Sequence, residues 1–337
     1  MKKICLYVHK IYKNNRIFEN KISEINRNDE LSCFRELKKQ FSVLGYDLST
    51  QDINPIEKSD AVLYNEMPAE LPTAKEKSYL LALETELIKP NNWYPRYLKK
   101  MRTVFSSKDF TADYIDVVKV QFPQQTRAIR DEIAWSNKKL CTLVAGGKLS
   151  LHKLELYSAR IRWINWFTKH HPNDFDFYGA GWKSLQMTGP LYIRVFNKIP
   201  HLYDLFKPKM KLYRGMVDDK YQVLNQYKFS ICFENAVDIK GYITEKIFDC
   251  FFSGNVPVYL GAPDVTDYIP ENCFIDARKF STFEELYTFM NNMSETQHQK
   301  HLQNAKAYLA SELFQKFSNQ FFAKTIVTKI THDLTVR

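Results

Sequence analysis

The chain has 337 residues, with 48 Lys or Arg against 38 Asp or Glu and a formal net charge of +10. Its 45% apolar and 26% charged residues exclude a disordered or collagen-like chain, and its length predicts about two domains, each large enough to bury a core. The positive surplus demands an anionic counterpart: nucleic acid, a membrane surface or a phosphorylated substrate.

From the N-terminus, residues 4–8 form a short apolar run after Met1-Lys-Lys. The run is too brief for a signal-peptide core and no small-residue cleavage site follows it, so a first buried strand is expected. Over residues 29–44, Leu31, Phe34, Leu37, Phe41 and Leu44 recur at helical spacing, and Gly45 suits the C-terminal cap. Residues 61–64, 79–83 and 102–106 read as further buried strands. This alternation of strand and helix predicts an α/β fold with a parallel sheet covered by helices. Residues 107–150 show little regular period, and Val144-Ala-Gly-Gly-Lys148 reads as a strand end running into a loop. A helix is expected over 154–170, with Tyr157, Ile161, Ile164 and Phe167 on its apolar face and Arg160, Arg162 and Lys169 off it. Residues 175–178 read as a strand closed by Gly179 and Gly181. A domain boundary is placed near residue 150, giving domains 1–150 and 151–337.

The second half holds the clearest unit. Residues 227–233 read as a strand, 244–253 as a helix with Ile247, Phe248, Phe251 and Phe252 as its stripe, and 256–260 as the next strand after a Gly254 cap. This is a βαβ unit. Ser281 and Glu284 read as a capping box before Leu286, Phe289 and Met290, and residues 312–330 as the last helical segment. No stretch approaches the ~18–20 contiguous apolar residues of a membrane span. The six cysteines (Cys5, Cys33, Cys141, Cys232, Cys250, Cys273) are scattered, without a Cys-x-x-Cys or a His at ligand spacing. Reduced thiols in a cytoplasmic protein are therefore expected, rather than a disulfide framework or a zinc site.

The loop from Glu234 to Lys246 joins the carboxyl end of a strand to the start of a helix, the edge where open α/β sheets bind ligands. Free N–H groups and the positive end of the helix favour a phosphate there, and Lys246 adds a full charge. Glu245 would be repelled by a phosphate and suits ribose hydroxyls instead. On spacing alone, an ordinary helix start with charged surface residues is the favoured reading of this loop.

Several fixed spacings go further. Tyr227-Lys-Phe-Ser-Ile-Cys-Phe-Glu-Asn235, Gly241-Tyr-Ile-Thr-Glu-Lys246, Val256-Pro-Val-Tyr-Leu-Gly261, Tyr268-Ile-Pro270 and Phe274-Ile-Asp276 closely resemble the α1,3/4-fucosyltransferase family. Weaker similarity includes Glu155-Leu-Tyr157 with Arg160, Phe177-Tyr-Gly179 with Gly181-Trp182, and Tyr213-Arg-Gly215 with Lys220. The resemblance implies a bacterial-type enzyme of the GT-B fold, with two Rossmann-like domains facing across a cleft. The C-terminal domain would hold GDP-fucose and the N-terminal domain a glycan acceptor. It also implies inversion at the anomeric carbon without a metal bridging the phosphates. Transferred by position, Arg214 and Lys246 would hold the diphosphate and Glu245 the ribose, while Asn235 and Tyr242 would line the pocket near the fucose. The family places its catalytic base at a strand end shortly before a Pro. Glu84 and Glu86, between residues 79–83 and Pro90, are the two candidates, with Glu84 preferred because strand ends are held more firmly than loop lengths.

Two departures bear on the sugar. Ala236 stands where relatives usually carry Ser, and the loop from Asn235 to Tyr242 is one residue longer than in several of them. Both keep another GDP-activated sugar open as donor. Asp174-Phe-Asp176 has the spacing of a metal-binding Asp-x-Asp, but it opens a strand and is read as structural, and no metal site is expected. Net charge alone favours a nucleic-acid-binding protein, without a basic block or interleaved aromatics to support it. Beyond the diphosphate, the basic surplus leads to an expected peripheral contact with the anionic inner face of the cytoplasmic membrane.

Overall fold

The computed structural model describes residues 1–20, 26, 29–130, 132–199 and 201–336. The chain divides into two compact units, Met1–Thr126 with Gln315–Arg337, and Arg127–Phe314.

The first unit is built on strands β1 (Lys2–Tyr7), β2 (Tyr46–Thr50), β3 (Ala61–Asn65), β4 (Ser78–Ala82), β5 (Thr103–Ser106) and β6 (Asp116–Lys119). All pair in parallel, in the order β2-β1-β3-β4-β5-β6. β4 is buried along its whole length, as expected of a parallel sheet covered on both faces. Alternate residues separate the faces: Ile4, Leu6, Leu63, Leu81 and Phe105 belong to one core, and Cys5, Val62, Leu80 and Val104 to the other. Helix α1 (Ser32–Val43) buries Cys33, Phe34, Leu37 and Phe41 and ends at Gly45, whose φ of +79° is a conformation open to glycine. The short α2 (Pro95–Leu98) places Leu98 in the second core.

The C-terminal helix Asn319–Thr335 also belongs to this unit. Ser318 caps it by accepting the Phe321 N–H at 3.1 Å. Its buried stripe of Phe322, Ala323, Ile326, Val327 and Ile330 completes the core under α1. Near its end, the buried Asp333 accepts the Tyr79 hydroxyl at 3.0 Å, pairs with Arg102 at 2.9 Å and with Lys329 at 3.0 Å. The expected division at residue 150, with 151–337 as one domain, is corrected here. The division falls at Thr126, and the last helix returns to the first unit because its apolar stripe fits that core.

The second unit carries β7 (Lys139–Val144), β8 (Lys148–Leu149), β9 (Phe175–Tyr178), β10 (Gln186–Met187), β11 (Tyr227–Phe233), β12 (Val256–Leu260) and β13 (Ile275–Asp276). Its main sheet is parallel, in the order β13-β12-β11-β7-β9, and β8 pairs with β10 apart from it. β7 lies inside the stretch without visible period; its polar start, Lys138-Lys139, hides a central strand. The helices are α3 (Tyr157–His170), α4 (Leu191–Arg194), α5 (Lys220–Asn225), α6 (Glu245–Phe252), α7 (Phe283–Asn292), α8 (Glu295–Leu309) and α9 (Glu312–Gln315). Trp163, Ile164 and Phe167 of α3 pack under Cys141, Leu143, Phe175, Phe229 and Ile231, with Phe167 stacked on Phe175 at 4.5 Å.

Strands 227–233 and 256–260 stand where the sequence predicts them. The capping signals do not. Thr282, not Ser281, caps α7, by accepting the Glu285 N–H, and the reciprocal capping box is Ser294 with Gln297 at the start of α8. The segment 312–330 is broken into α9 and the C-terminal helix by the Ser318 cap.

Burial pushes the Asp333 carboxyl up, but its bonds to Lys329, Arg102 and Tyr79 hold it below the ordinary carboxylate value. A depressed folded value gives stabilisation that is present above the unfolded range near ~4 and lost as pH falls through the folded one. Asp333→Ala should destabilise the protein by about 2–4 kcal/mol at neutral pH, read by denaturant unfolding, with a smaller difference in acid.

Candidate active site

The loop 234–244 leaves β11, the middle strand of the second sheet, at its carboxyl end and enters α6. Its anchor is Glu234, whose side chain is fully buried. One carboxylate oxygen accepts the Thr244 N–H at 2.8 Å; the other accepts the Thr244 hydroxyl at 2.7 Å and pairs with Lys246 Nζ at 3.2 Å. A Cβ at residue 261 would lie 2.5 Å from Glu234 Cγ, so Gly261 makes room for this carboxylate. Glu234 sits inside the quoted Phe-Glu-Asn motif, yet sequence reasoning gave it no role.

Because the Thr244 hydroxyl serves Glu234, no side chain caps α6. The first-turn N–H groups that follow thus suit an oxyanion. Lys246 Nζ also bonds Thr244 Oγ1 at 2.8 Å and Glu245 at 3.3 Å. Burial pushes the Glu245 carboxyl up, but Lys246 and then Lys220 overcome it and hold the value at about 2. Glu245 is therefore an ionised acceptor throughout the neutral range. Lys220, at the start of α5, pairs with Asp249 of α6 at 2.8 Å. Lys220 and Lys246 share a cavity of about 40 Å³ with Val144, Ser230, Cys232 and Asp249. Sequence reasoning quoted Lys220 without a role; its signal was the Asp219 cap that opens α5.

Asn235 and Tyr242 are brought together: the Asn235 amide lies 3.5 Å from the Tyr242 hydroxyl, and the Tyr242 ring is buried. Beside them lies Arg160, which the helical pattern placed off the apolar face. The structure corrects this. Arg160 is buried, and its Nη2 donates to the carbonyls of Phe233 at 2.6 Å and Glu234 at 2.8 Å and to Asn235 Oδ1 at 3.2 Å. The strand end supplies carbonyls that only a buried donor can satisfy. Burial lowers the Arg160 guanidinium value.

Arg214 is held elsewhere. Its Nε pairs with Asp176 Oδ1 at 2.7 Å in β9, two strands from β11. Asp176 also takes Lys139 at 2.6 Å and the Tyr227 hydroxyl at 2.8 Å, and Asp174 accepts the Tyr287 hydroxyl at 2.9 Å. Both carboxylates of the Asp-x-Asp pattern thus work as internal partners. The Arg214 side chain remains about half exposed, at 48%. The loops after β7 and β9 interlock through Gly147 and Gly181, and the buried Trp182 donates to Ala145 O at 2.8 Å.

In the first unit, β4 ends at Ala82, one residue earlier than the expected strand 79–83, and Glu84 stands two residues beyond it. Its N–H donates to Glu66 Oε1 at 3.3 Å, and its carbonyl accepts Trp93 Nε1 at 3.1 Å. Glu86 is bound by Lys108, at 2.9 and 3.1 Å to its two oxygens. Glu66 follows the adjacent strand β3, in a left-handed conformation with φ of +70°, and its other oxygen takes the side chain of the buried Asn92. Burial and then the Glu84 charge push Glu66 up, against the Asn92 bond, to about 7. The sequence signal for Glu66 was its place after the strand 61–64, parallel to that of Glu84.

Residues 191–331 match the family model described as glycosyltransferase family 10 (fucosyltransferase), C-terminal. That match takes in less than half of the chain, which is similar there to the C-terminal region of family 10 glycosyltransferases. An α-(1,3)-fucosyltransferase of Helicobacter pylori is 36% identical over 128 residues, which cover 35% of this chain and 26% of that protein. GDP-fucose protein O-fucosyltransferase 3 of Gallus gallus is 37% identical over 100 residues, covering 29% of this chain and 20% of that protein. The chain thus spans only about a fifth to a quarter of the length of these curated relatives. A solved α1,3-fucosyltransferase shares the fold with a TM-score of 0.55 and 17% identity, over 98% of this chain and 89% of that one. An α-glucosyltransferase in complex with UDP-glucose and DNA superposes with 0.56 and 11%, over 98% of this chain and 99% of that one. The fold is of the GT-B class, with two Rossmann-like α/β units.

A carboxyl raised on folding favours the folded state most below its unfolded value. Stability from Glu66 should therefore fall as pH rises from about 4.5 to 7 and then level off. In Glu66→Gln this slope should vanish, giving a protein with a flatter melting-temperature profile between pH 5 and 8 by calorimetry. An unchanged slope would assign the proton elsewhere.

Proposed function

We propose that this chain is an inverting fucosyltransferase that moves L-fucose from GDP-fucose to a glycan hydroxyl, in α1,3 linkage on an N-acetyllactosamine-type or surface-polysaccharide acceptor. The observation that carries this reading is the uncapped start of α6, with Lys246 and Glu245 in its first turn, inside the segment matched to family 10. As fucose departs, negative charge grows on the diphosphate. Oriented α6 amides and Lys246 stabilise that charge without rearranging during the reaction. Glu245, ionised, accepts ribose hydroxyls. Asn235 and Tyr242 stand on the sugar side, and Arg214 reaches the phosphates by exchanging part of its contact with Asp176.

The first unit supplies the base. We assign it to Glu84, whose backbone Glu66, Asn92 and Trp93 hold just past the end of β4, with Glu86, paired with Lys108, as the alternative. The metal-free assignment rests on the Asp-x-Asp carboxylates, which already face Lys139, Arg214 and Tyr287. The buried, unpaired state of all six cysteines supports a reducing, cytoplasmic setting. A protein hydroxyl as acceptor is the second reading, favoured by the similarity to protein O-fucosyltransferases. The buried Ala236 keeps another GDP-sugar as the alternative donor.

The test is a donor screen across GDP-fucose, GDP-mannose and UDP-sugars, with galactose- and N-acetylglucosamine-terminated glycans as acceptors. Turnover should require GDP-fucose and persist in EDTA; turnover with another donor alone, or loss in EDTA reversed by a divalent ion, overturns the reading. Lys246→Ala should weaken GDP binding by about tenfold or more in calorimetry. Glu84→Gln should cut kcat by about 10²–10⁴ with GDP affinity intact, while Glu86→Gln keeps most activity.

A further inference from the structure

Between β10 and the strand-like segment at Tyr213, the second unit presents apolar side chains to solvent. Tyr192, Val195, Phe196, Ile199, Leu205 and Phe206 are all at least half exposed, Leu205 at 95% and Tyr192 at 73%. This is a run of large apolar residues far denser than the isolated ones normal on a protein surface. The backbone beneath them is tied down. The Asn197 side chain bonds the Met187 N–H and carbonyl at 2.8 and 3.0 Å. The Lys209 N–H reaches Asn165 at 2.9 Å, and Leu212 is buried in the core. The same segment also packs Tyr203, Met210 and Tyr213 inward against that core. It therefore sorts its apolar residues into an inner set that anchors and an outer set with no core to cover.

The segment that carries the outer set is predominantly basic. From Lys183 to Lys211 there are six Lys or Arg and a single acidic residue, Asp204, which is half the chain's net charge of +10. Asp204 is itself paired with Lys207 at 2.6 Å. Lys198, Lys209 and Lys211 are exposed, and long basic side chains can lay their stems along an apolar surface while their heads reach an anionic one. A protein partner with an apolar face would not need this basic surround. Among the described residues, no helix is long and apolar enough to cross a bilayer, so contact would be in the interfacial plane.

We propose that residues 192–199 and 201–211 form a peripheral membrane-docking surface that inserts its outer apolar side chains into an anionic phospholipid bilayer, with the surrounding Lys and Arg on the headgroups. This does not depend on the fucosyltransferase reading and is tested without measuring turnover. The full chain is sedimented with phosphatidylcholine vesicles and with vesicles containing about a third phosphatidylglycerol. It should bind the anionic vesicles, release in high salt, and bind phosphatidylcholine at least about tenfold more weakly. Leu205→Glu with Phe206→Glu, exposed positions whose melting temperature should not change, should reduce anionic binding by about tenfold or more. Lys198→Glu with Lys209→Glu and Lys211→Glu should abolish the preference for anionic lipid. Absence of binding, equal binding to both vesicles, or unaltered binding in the Leu205/Phe206 variant overturns the proposal. So does concentration-dependent self-association removed by that variant in a protein that ignores vesicles.

Discussion

The candidate donor site depends on one buried carboxylate. Glu234 leaves the end of β11 without access to water, so its charge must be satisfied within the fold. It is satisfied by the first residues of the next helix: the Thr244 amide, the Thr244 hydroxyl and Lys246. Three consequences follow. The loop between strand and helix is closed at both ends, the Thr244 side chain is withdrawn from capping α6, and Lys246 is fixed at the helix start. Removing one side of such a buried pair typically costs about 3–5 kcal/mol. Gly261 and Arg160 belong to the same arrangement. Gly261 provides the space, and Arg160 takes the carbonyls of Phe233 and Glu234 that the closed loop leaves behind.

The charges near α6 interleave rather than accumulate. Lys246 faces Glu234 and Glu245, and Lys220 faces Asp249. The excess that gives the chain its +10 lies largely elsewhere, with half of it between Lys183 and Lys211. A fixed alternation of charge suits a nucleotide, which offers phosphates to the cations and ribose hydroxyls to the ionised Glu245. A diffuse polyanion would instead meet carboxylates at the helix start.

Much of this was legible in the sequence where local pattern and burial agree. The strands 227–233 and 256–260, the stripe of α6 and the Gly254 cap are all continuous signals, and the loop between them carries Asn235, Tyr242, Glu245 and Lys246. What the pattern hid were the residues whose roles depend on partners distant in sequence. Arg160 reads as a solvent-facing helix residue until the end of β11 lies beside it. Glu66 and Glu84 are 18 residues apart, and only the pairing of β3 with β4 brings them together. Asp333 meets Tyr79 and Arg102 across most of the chain, so no local window shows that the last helix returns to the first unit. β7 was legible only at its end, where Val144 runs into the glycine loop; its lysine-rich entrance leaves too short an apolar run for the rest of the strand to stand out.

The central claim is that Glu234 organises the start of α6 for a nucleoside diphosphate, and GDP titration of Glu234→Gln by calorimetry tests it most directly. The account predicts a folded protein with GDP affinity reduced by about tenfold or more, because Thr244 and Lys246 lose their common anchor. GDP affinity equal to or above that of the unmodified protein would contradict it.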